Sequence, residues 1–176
     1  SNNPNRKTKY SLIAAKSGNQ WVNVDSQAPN IIAFEALKKG KITEIGKVNL
    51  AKKEVMYGKS RFDLYFEKER EKGFIEVKGV TLKKNRIAMF PDAPTARGTK
   101  HVLEMISAIH SGYQAAILFV VQMQGIQGFT INKDMDPAFA HAVRNAQDQG
   151  VKIMVYDCEV YDNELILANP LPFYMP

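Results

Sequence analysis

The chain has 176 residues, of which 45% are hydrophobic and 24% charged, and its formal net charge is +6. This length suits one domain with a sizeable core, and a run of about eighteen apolar residues, as a membrane-spanning helix needs, does not occur. The single cysteine, Cys158, excludes an intramolecular disulfide. We expect a cytoplasmic protein, because unpaired thiols are typical of a reducing compartment.

The positive charge is concentrated in the first third of the chain. Residues 1–60 contain eleven Lys and Arg against four Asp and Glu, whereas residues 61–176 contain thirteen against fourteen. This distribution favours a basic face that meets an anion such as nucleic acid. A solvated lysine-rich surface is the alternative explanation.

The first elements in chain order are a linker, a strand and a helix. Residues 1–20 are polar and predict a linker, and QWVNVD predicts a short strand. The segment APNIIAFEALKKGKI predicts a helix with Asn30 as its cap and Gly40 as its stop. Its buried face is expected to carry the apolar side chains Ile31, Ile32, Phe34 and Leu37.

Three strands are predicted next, at KEVMYG, RFDLYFE and GFIEVKGVTL. The charged segment EKEREKG predicts a turn between the last two, which would then form a hairpin. Because side chains alternate along a strand, Arg61, Asp63 and Tyr65 are expected to share one face.

The second half of the chain predicts two further helices and several strands. FPDAPTARGTKHVLEMISAIHSG begins as a proline-containing loop and becomes a helix that buries Val102, Ile106 and Ile109. QAAILFVVQ is typical of a strand covered on both faces. FTIN, VKIMVYD and NELILA predict strands, and DPAFAHAVRNAQDQG predicts a helix capped by Asp136. This order predicts one α/β domain, a mixed β-sheet flanked by helices.

Charged residues lie in the middle of the predicted hairpin. Glu76 and Lys78 share a face of their strand, and a symmetric turn places Asp63 opposite Glu76, with Cβ atoms about 5 Å apart. Two carboxylates that close repel each other unless a positive charge lies between them, either Lys78 or a divalent cation such as Mg²⁺ or Mn²⁺. An exposed ion-pair cluster is the alternative, but the large apolar residues of FIEVKGV favour a site.

Asp63, a gap of twelve residues and then EVK resemble the motif of the PD-(D/E)XK nuclease superfamily. The longer segments SRFDLYF, IEVKGVTL, AMFPDAPTARGTKH and ALKKGKITEI resemble the sugar fermentation stimulation protein family of bacteria and archaea. The resemblance implies a restriction-endonuclease-like α/β domain over residues 21–176. It also implies that residues 1–20 are a linker or the remnant of an N-terminal OB-like subdomain.

The resemblance implies roles for the hairpin residues. In the nuclease superfamily, the matching Asp and Glu hold one or two divalent cations, which assigns Mg²⁺ or Mn²⁺ to Asp63 and Glu76 in this chain. The backbone carbonyl of Val77 is the expected third ligand. Lys78 matches the lysine that orients or deprotonates the attacking water, and Asp63, Glu76 and Lys78 are the expected catalytic residues.

Other residues are expected around this site. Glu35 is a further expected catalytic residue, because it fits the place of the acidic residue that many superfamily members add from their first helix. Glu54 is an alternative, and an ordinary solvated glutamate is the plain explanation. Arg97, Lys100 and His101 begin a helix opposite its buried face, and we expect them to contact DNA phosphates. A loop packed for structural reasons is the alternative for that segment.

The hairpin residues and the family resemblance together imply three possible functions. The first is a DNA-binding, metal-dependent nuclease, and the second is a non-catalytic DNA-binding regulator of sugar (maltose) metabolism on a nuclease scaffold. An anion- or sugar-binding metabolic protein is a third. The sequence leaves open whether the DNA is single- or double-stranded and whether the chain forms a homo-oligomer, and no membrane partner is expected.

Overall fold

The structure, a computed structural model, describes residues 12–18, 20–161 and 164–176. Most of the predicted linker thus lies outside the described residues. In chain order the described elements are β1 (Ala14–Ser17), β2 (Gln20–Asn23), α1 (Ala28–Lys38), β3 (Leu50–Tyr57), β4 (Ser60–Lys68), β5 (Glu71–Val80), β6 (Leu82–Lys84), β7 (Ile87–Phe90), α2 (Ala96–His110), β8 (Gln114–Val121), β9 (Gly128–Ile131), α3 (Pro137–Asp148), β10 (Lys152–Val160), β11 (Leu165–Pro170) and β12 (Phe173–Tyr174).

Six strands form the main sheet, in the order β11-β10-β8-β5-β4-β3. β3, β4 and β5 pair antiparallel as consecutive strands, whereas β5, β8 and β10 run parallel. α2 and α3 lie in the connections between the parallel strands. The predicted mixed sheet flanked by helices is confirmed.

The main sheet separates two hydrophobic cores. In the α1 core, Leu37 of α1 packs in one cluster with Ile75 of β5. In the α2–α3 core, Val102 and Phe139 pack with Phe74, the neighbour of Ile75 on β5. Successive residues of β5 therefore serve opposite cores, as strand geometry requires. β8 contributes buried side chains to both, as its continuous apolar sequence predicts.

The start of α1 differs from the prediction. The residue before the helix is Gln27, which makes no capping hydrogen bond through its side chain, and Pro29 occupies the first turn, where a missing N–H costs nothing. Asn30 lies inside the helix, so its prediction as the cap is wrong. Ile31 is 49% exposed and does not join the buried face. Gly40, with a φ of +66°, follows the helix as predicted.

Asp136 joins the starts of α2 and α3. Its Oδ1 accepts a hydrogen bond from the Phe139 N–H at 2.9 Å, which confirms the predicted cap, and its Oδ2 accepts one from the Thr95 N–H at 2.8 Å. These backbone donors, Thr95 first, hold the pKa of Asp136 below its usual value. Thr95 in turn caps α2 by accepting from the Gly98 N–H at 3.1 Å. The first turn of α2 is thereby fixed against α3.

Several short strands were not predicted. β6, β7, β9 and β12 form a second sheet in the order β12-β9-β7-β6, of which only β9 was expected. Within the predicted linker, β1 forms an antiparallel pair with β2. The assignment of that segment to an OB-like subdomain stays a prediction. Of the helices described, none has the length and apolar character needed to cross a membrane.

Candidate functional site

The side-chain alternation of β4 breaks at Asp63. Phe62 packs in the α2–α3 core, whereas Leu64, two residues later, packs in the α1 core. An uninterrupted strand would place both on one face. Asp63 accordingly contacts Asn30 of α1, while Tyr65 packs against the α2–α3 core. The expectation that Asp63 and Tyr65 share a face is wrong.

A backbone irregularity in β3 lies next to this break. Glu54 has a φ of +55°, in the left-handed region that residues other than glycine seldom adopt. Its neighbours Lys53 and Val55 pair with β4, and Glu54 falls between them, across from Asp63. Strained residues of this kind concentrate at functional sites.

Asp63 lies beside Glu76, as the predicted hairpin requires. The last backbone pair of the β4–β5 ladder is Leu64 with Ile75, so the next position sets Asp63 against Glu76. Here a side chain replaces the strand partner, because the Val77 N–H donates to Asp63 Oδ2 at 2.8 Å.

The half-buried carboxyl of Asp63 has an electrostatically unfavourable environment. Burial is the main cause that raises its pKa above the ordinary 3.8, and the charge of Glu76 raises it further. The hydrogen bond from Val77, the charge of Lys78 and a 2.8 Å hydrogen bond from Asn30 Nδ2 to Oδ1 act in the opposite direction. A bound cation would relieve the repulsion between the two carboxylates.

Glu76 and Lys78 form a buried ion pair. Lys78 Nζ lies 2.7 Å from Glu76 Oε1, and the exposed fractions of the two side chains are 15% and 3%. This burial excludes the exposed ion-pair cluster that was the alternative. The other oxygen of Glu76, Oε2, is buried and has no hydrogen-bond partner among the described residues. Buried polar atoms rarely lack a hydrogen-bond partner, and where one does, a site for a bound ion is one explanation.

His101 belongs to this site. It is only 7% exposed, and its Nδ1 hydrogen-bonds to Glu76 Oε1, the oxygen that Lys78 also contacts. The prediction that His101 points outward, opposite the buried face of the helix, is wrong. It lies three residues after Gly98 and four before Met105, and both are buried. That spacing was the signal for burial in the sequence.

The two candidate acids outside the hairpin lie in different places. Glu35 pairs with Lys39 at 3.8 Å on the surface, and it follows Asn30 by five residues, which turns it about 140° around the helix from the site. Glu54 lines a depression of about 530 Å³ together with Asn30 and Asp63. The structure therefore brings Glu54, and not Glu35, to the edge of the site.

Arg97 and Lys100 are exposed in the first turns of α2, the helix that carries His101. Lys100 Nζ lies 3.8 Å from Glu104 Oε1, and the lysine side chain is 58% exposed. Both cations can reach a phosphate in solution, and their contact with DNA stays a prediction.

The donors at the site suit a hard cation with few protein ligands. Within the described ranges, no three His, Cys, Asp or Glu side chains form a group that could hold a metal ion. Mg²⁺ typically binds one or two carboxylates and completes its shell with waters and substrate phosphates. Asp63 and the unpartnered Oε2 of Glu76 fit that pattern. The Val77 carbonyl stays the predicted third ligand.

The mixed sheet and the hairpin bearing two carboxylates and a lysine define a nuclease-like α/β domain. The family model of the sugar fermentation stimulation protein RE domain matches residues 27–164. The chain belongs to the sugar fermentation stimulation protein family, as its sequence motifs predicted.

Individual relatives agree with this assignment. The sugar fermentation stimulation protein homolog of Alkaliphilus oremlandii (strain OhILAs) is 53% identical over 171 residues, which cover 95% of this chain and 73% of that protein. The homolog of Clostridium botulinum (strain Kyoto / Type A2) is 47% identical over 171 residues, which cover 97% of this chain and 74% of that protein. Pyrococcus furiosus SfsA, solved in complex with Ca²⁺, is 26% identical with a TM-score of 0.87, over 96% of this chain and 74% of that one.

Proposed function

We propose that this chain is a DNA-binding protein that hydrolyses phosphodiester bonds with Mg²⁺ or Mn²⁺. The observation that carries the proposal is the buried pair of Glu76 and Lys78 beside Asp63, with Glu76 Oε2 left unpartnered. A solved relative with this fold is a complex with Ca²⁺. That complex supports a divalent-cation site in this chain as well.

The ligands for the cation would be Asp63, Glu76 and the carbonyl of Val77. Both carboxylates lie where β4 leaves β5, and the hydrogen bonds from Asn30 and Val77 fix the orientation of Asp63. When bound, the cation lowers the pKa of water and neutralises charge that develops on a phosphodiester.

Lys78 would act on the water and the phosphate. Its ammonium group is held at 2.7 Å from Glu76, and part of its side chain stays accessible. From that position it can orient the attacking water by hydrogen bonding. It can also stabilise negative charge on a non-bridging phosphate oxygen, in a site where burial strengthens the interaction.

The start of α2 would bind the DNA backbone outside the reacting phosphate. Arg97 and Lys100 are exposed there, and the net positive charge of residues 1–60 adds attraction for a polyanion. Such contacts position the nucleic acid and carry no base sequence information.

A non-catalytic DNA-binding regulator of sugar metabolism is the second candidate. It is favoured by the name of the family, sugar fermentation stimulation protein, which describes a metabolic effect. A nuclease-like fold can lose its reaction and keep its binding surface. The two candidates differ in whether a phosphodiester bond breaks.

One experiment separates them. Labelled single- and double-stranded DNA are incubated with the chain in Mg²⁺, Mn²⁺ or EDTA, and binding is followed by fluorescence anisotropy beside cleavage on denaturing gels. Cation-dependent cleavage that Glu76→Ala abolishes supports the nuclease. DNA binding without cleavage in either cation supports the regulator and overturns the proposed reaction.

A further inference from the structure

We infer that His101 is a positioning residue for Glu76: its Nδ1–H holds Oε1 so that Oε2 faces the cation site. The inference rests on the proposed function, since it concerns the same carboxylate. It assigns to α2 a role in shaping the site that the hairpin motif alone does not contain.

The contacts of Glu76 Oε1 place the imidazole hydrogen of His101 on Nδ1. Oε1 of Glu76 contacts Lys78 Nζ and His101 Nδ1. An ionised carboxylate oxygen only accepts, so both nitrogen atoms must donate to it. The imidazole is thereby fixed with its hydrogen on Nδ1, and its orientation is set by the carboxylate.

Two donors on one oxygen explain why the other is unpartnered. Lys78 and His101 both occupy Oε1, and Oε2 is buried without a hydrogen bond among the described residues. An unpaired buried carboxylate oxygen is costly in a medium of low polarity. A cation at Oε2 would remove that cost, and His101 keeps the oxygen aimed at it.

The ring of His101 is itself held in place by packing. It lies edge-on to Phe62, with a centroid distance of 6.3 Å and an interplanar angle of 86°. Phe62 precedes Asp63 at the break in β4, and the first turn of α2 is fixed by Thr95 and Asp136. The imidazole is thus tied to both sides of the site and has little freedom to rotate.

His101 and Lys78 differ in what they can do during a reaction. The Lys78 side chain is 15% exposed and flexible, so it can leave Glu76 for a water or a phosphate oxygen. His101 is buried and rigid, and it continues to hold Oε1 when Lys78 turns away. Outer partners of metal ligands in other proteins change metal affinity by about 10–100-fold when they are removed.

The test measures Mn²⁺ affinity by isothermal titration calorimetry on the whole 176-residue chain. We expect His101→Ala to weaken Mn²⁺ binding by about 10–100-fold. His101→Asn, whose amide N–H takes the place of Nδ1–H, should stay within a few-fold of the parent chain, and His141→Ala, an exposed histidine of α3, should not differ from it. Parent affinity in His101→Ala, or no Mn²⁺ binding by the parent chain, overturns the inference.

A spectroscopic measurement covers the case in which His101→Ala does not fold. Nitrogen-15 NMR of the cation-free parent chain should show the hydrogen of His101 on Nδ1, and a ring with its hydrogen on Nε2 overturns the inference. The proposed nuclease function can be disproved independently of the role of His101. If Mn²⁺ affinities follow the expected pattern and DNA is not cleaved, the role of His101 stands and the nuclease does not.

Discussion

The Val77 backbone N–H donates to the Asp63 carboxylate at 2.8 Å, so a side chain takes the place of a strand partner where β4 leaves β5. This hydrogen bond has two consequences. It satisfies a buried N–H that the departing strand would otherwise leave unpaired. It also holds the Asp63 carboxyl beside Glu76, where burial first and the charge of Glu76 second raise its pKa, so that a cation bound there would be stabilised by both carboxylates.

A divalent cation should stabilise the protein, and more so as the pH rises. Burial and the charge of Glu76 raise the pKa of Asp63 above 3.8. In the cation-free chain, the contribution of Asp63 to the free energy of unfolding is therefore present below pH 3.8 and is lost as the pH rises through the folded pKa. A bound cation would offset this loss, because it would neutralise the ionised carboxyl. Mn²⁺ at about 100 times its Kd should add about 2.7 kcal/mol at neutral pH. Because a protonated carboxyl binds a cation poorly, this gain should become smaller as the pH falls and Asp63 takes up a proton.

Differential scanning calorimetry with and without Mn²⁺, at several pH values, measures this effect. Asp63→Ala should show no gain in Tm, and Asp134→Ala, which changes an exposed carboxylate, should behave like the parent chain. An equal Mn²⁺ effect at pH 4 and pH 7 would rule out Asp63 as a ligand.

Asp136→Ala should lower the free energy of unfolding by about 2 kcal/mol, because the N–H groups of Thr95 and Phe139 both lose their acceptor. The pKa of Asp136 is lowered, so its stabilisation is present above about pH 4 and is lost as the pH falls through the folded pKa. Urea denaturation should therefore show a constant deficit from neutral pH to about 4 that narrows below it. A deficit independent of pH would mean that the carboxylate charge is not involved.

Gly98→Ala should destabilise the start of α2. A Cβ at this position would lie 2.7 Å from Thr95 Oγ1 and 2.9 Å from Thr95 Cγ2, which is closer than such atoms can approach. The crowding should cost about 1–3 kcal/mol, more than the gain of up to about 1 kcal/mol from helix propensity. Thermal unfolding measures the net loss, with Lys100→Ala on the same helix as the control. A more stable Gly98→Ala chain would show that the Thr95 cap is easily displaced.

The double substitution Arg97→Ala and Lys100→Ala should weaken DNA binding and flatten its salt dependence. Each lost contact with duplex phosphate should reduce the slope of log K against log salt by about 0.9. Anisotropy titrations at several salt concentrations give the slope. Arg70→Ala with Lys133→Ala changes the net charge equally at other exposed positions and serves as the control. If both double substitutions change the slope equally, the start of α2 does not contact DNA more than other exposed basic residues do.

Much of the fold followed from local sequence signals. Asp136 as a cap, Gly40 as a helix stop and the continuous apolar run of β8 all predicted the observed elements, because each depends on a few neighbouring residues. The hairpin register likewise set Asp63 against Glu76, since a strand pair is fixed by its turn.

The missed features depend on residues distant in sequence. Asn30 has the residue type of a helix cap, but its partner is Asp63, 33 residues away. His101 is polar and was placed on the exposed face, whereas Glu76 provides the hydrogen bond that permits its burial. Phe62 and Leu64 pack in different cores, and the sequence of the strand does not show which core each apolar side chain joins.

The proposed role of Lys78 in DNA hydrolysis can be tested by measuring the initial rate of DNA cleavage in Mn²⁺ for the parent chain, Lys78→Met and Lys72→Met. Lys72 is an exposed lysine of the same strand, so the two substitutions are matched in chemistry. We predict that Lys78→Met lowers the rate by about 100-fold or more while Lys72→Met retains it. Equal cleavage by both variants, or no cleavage by the parent chain, would contradict the account.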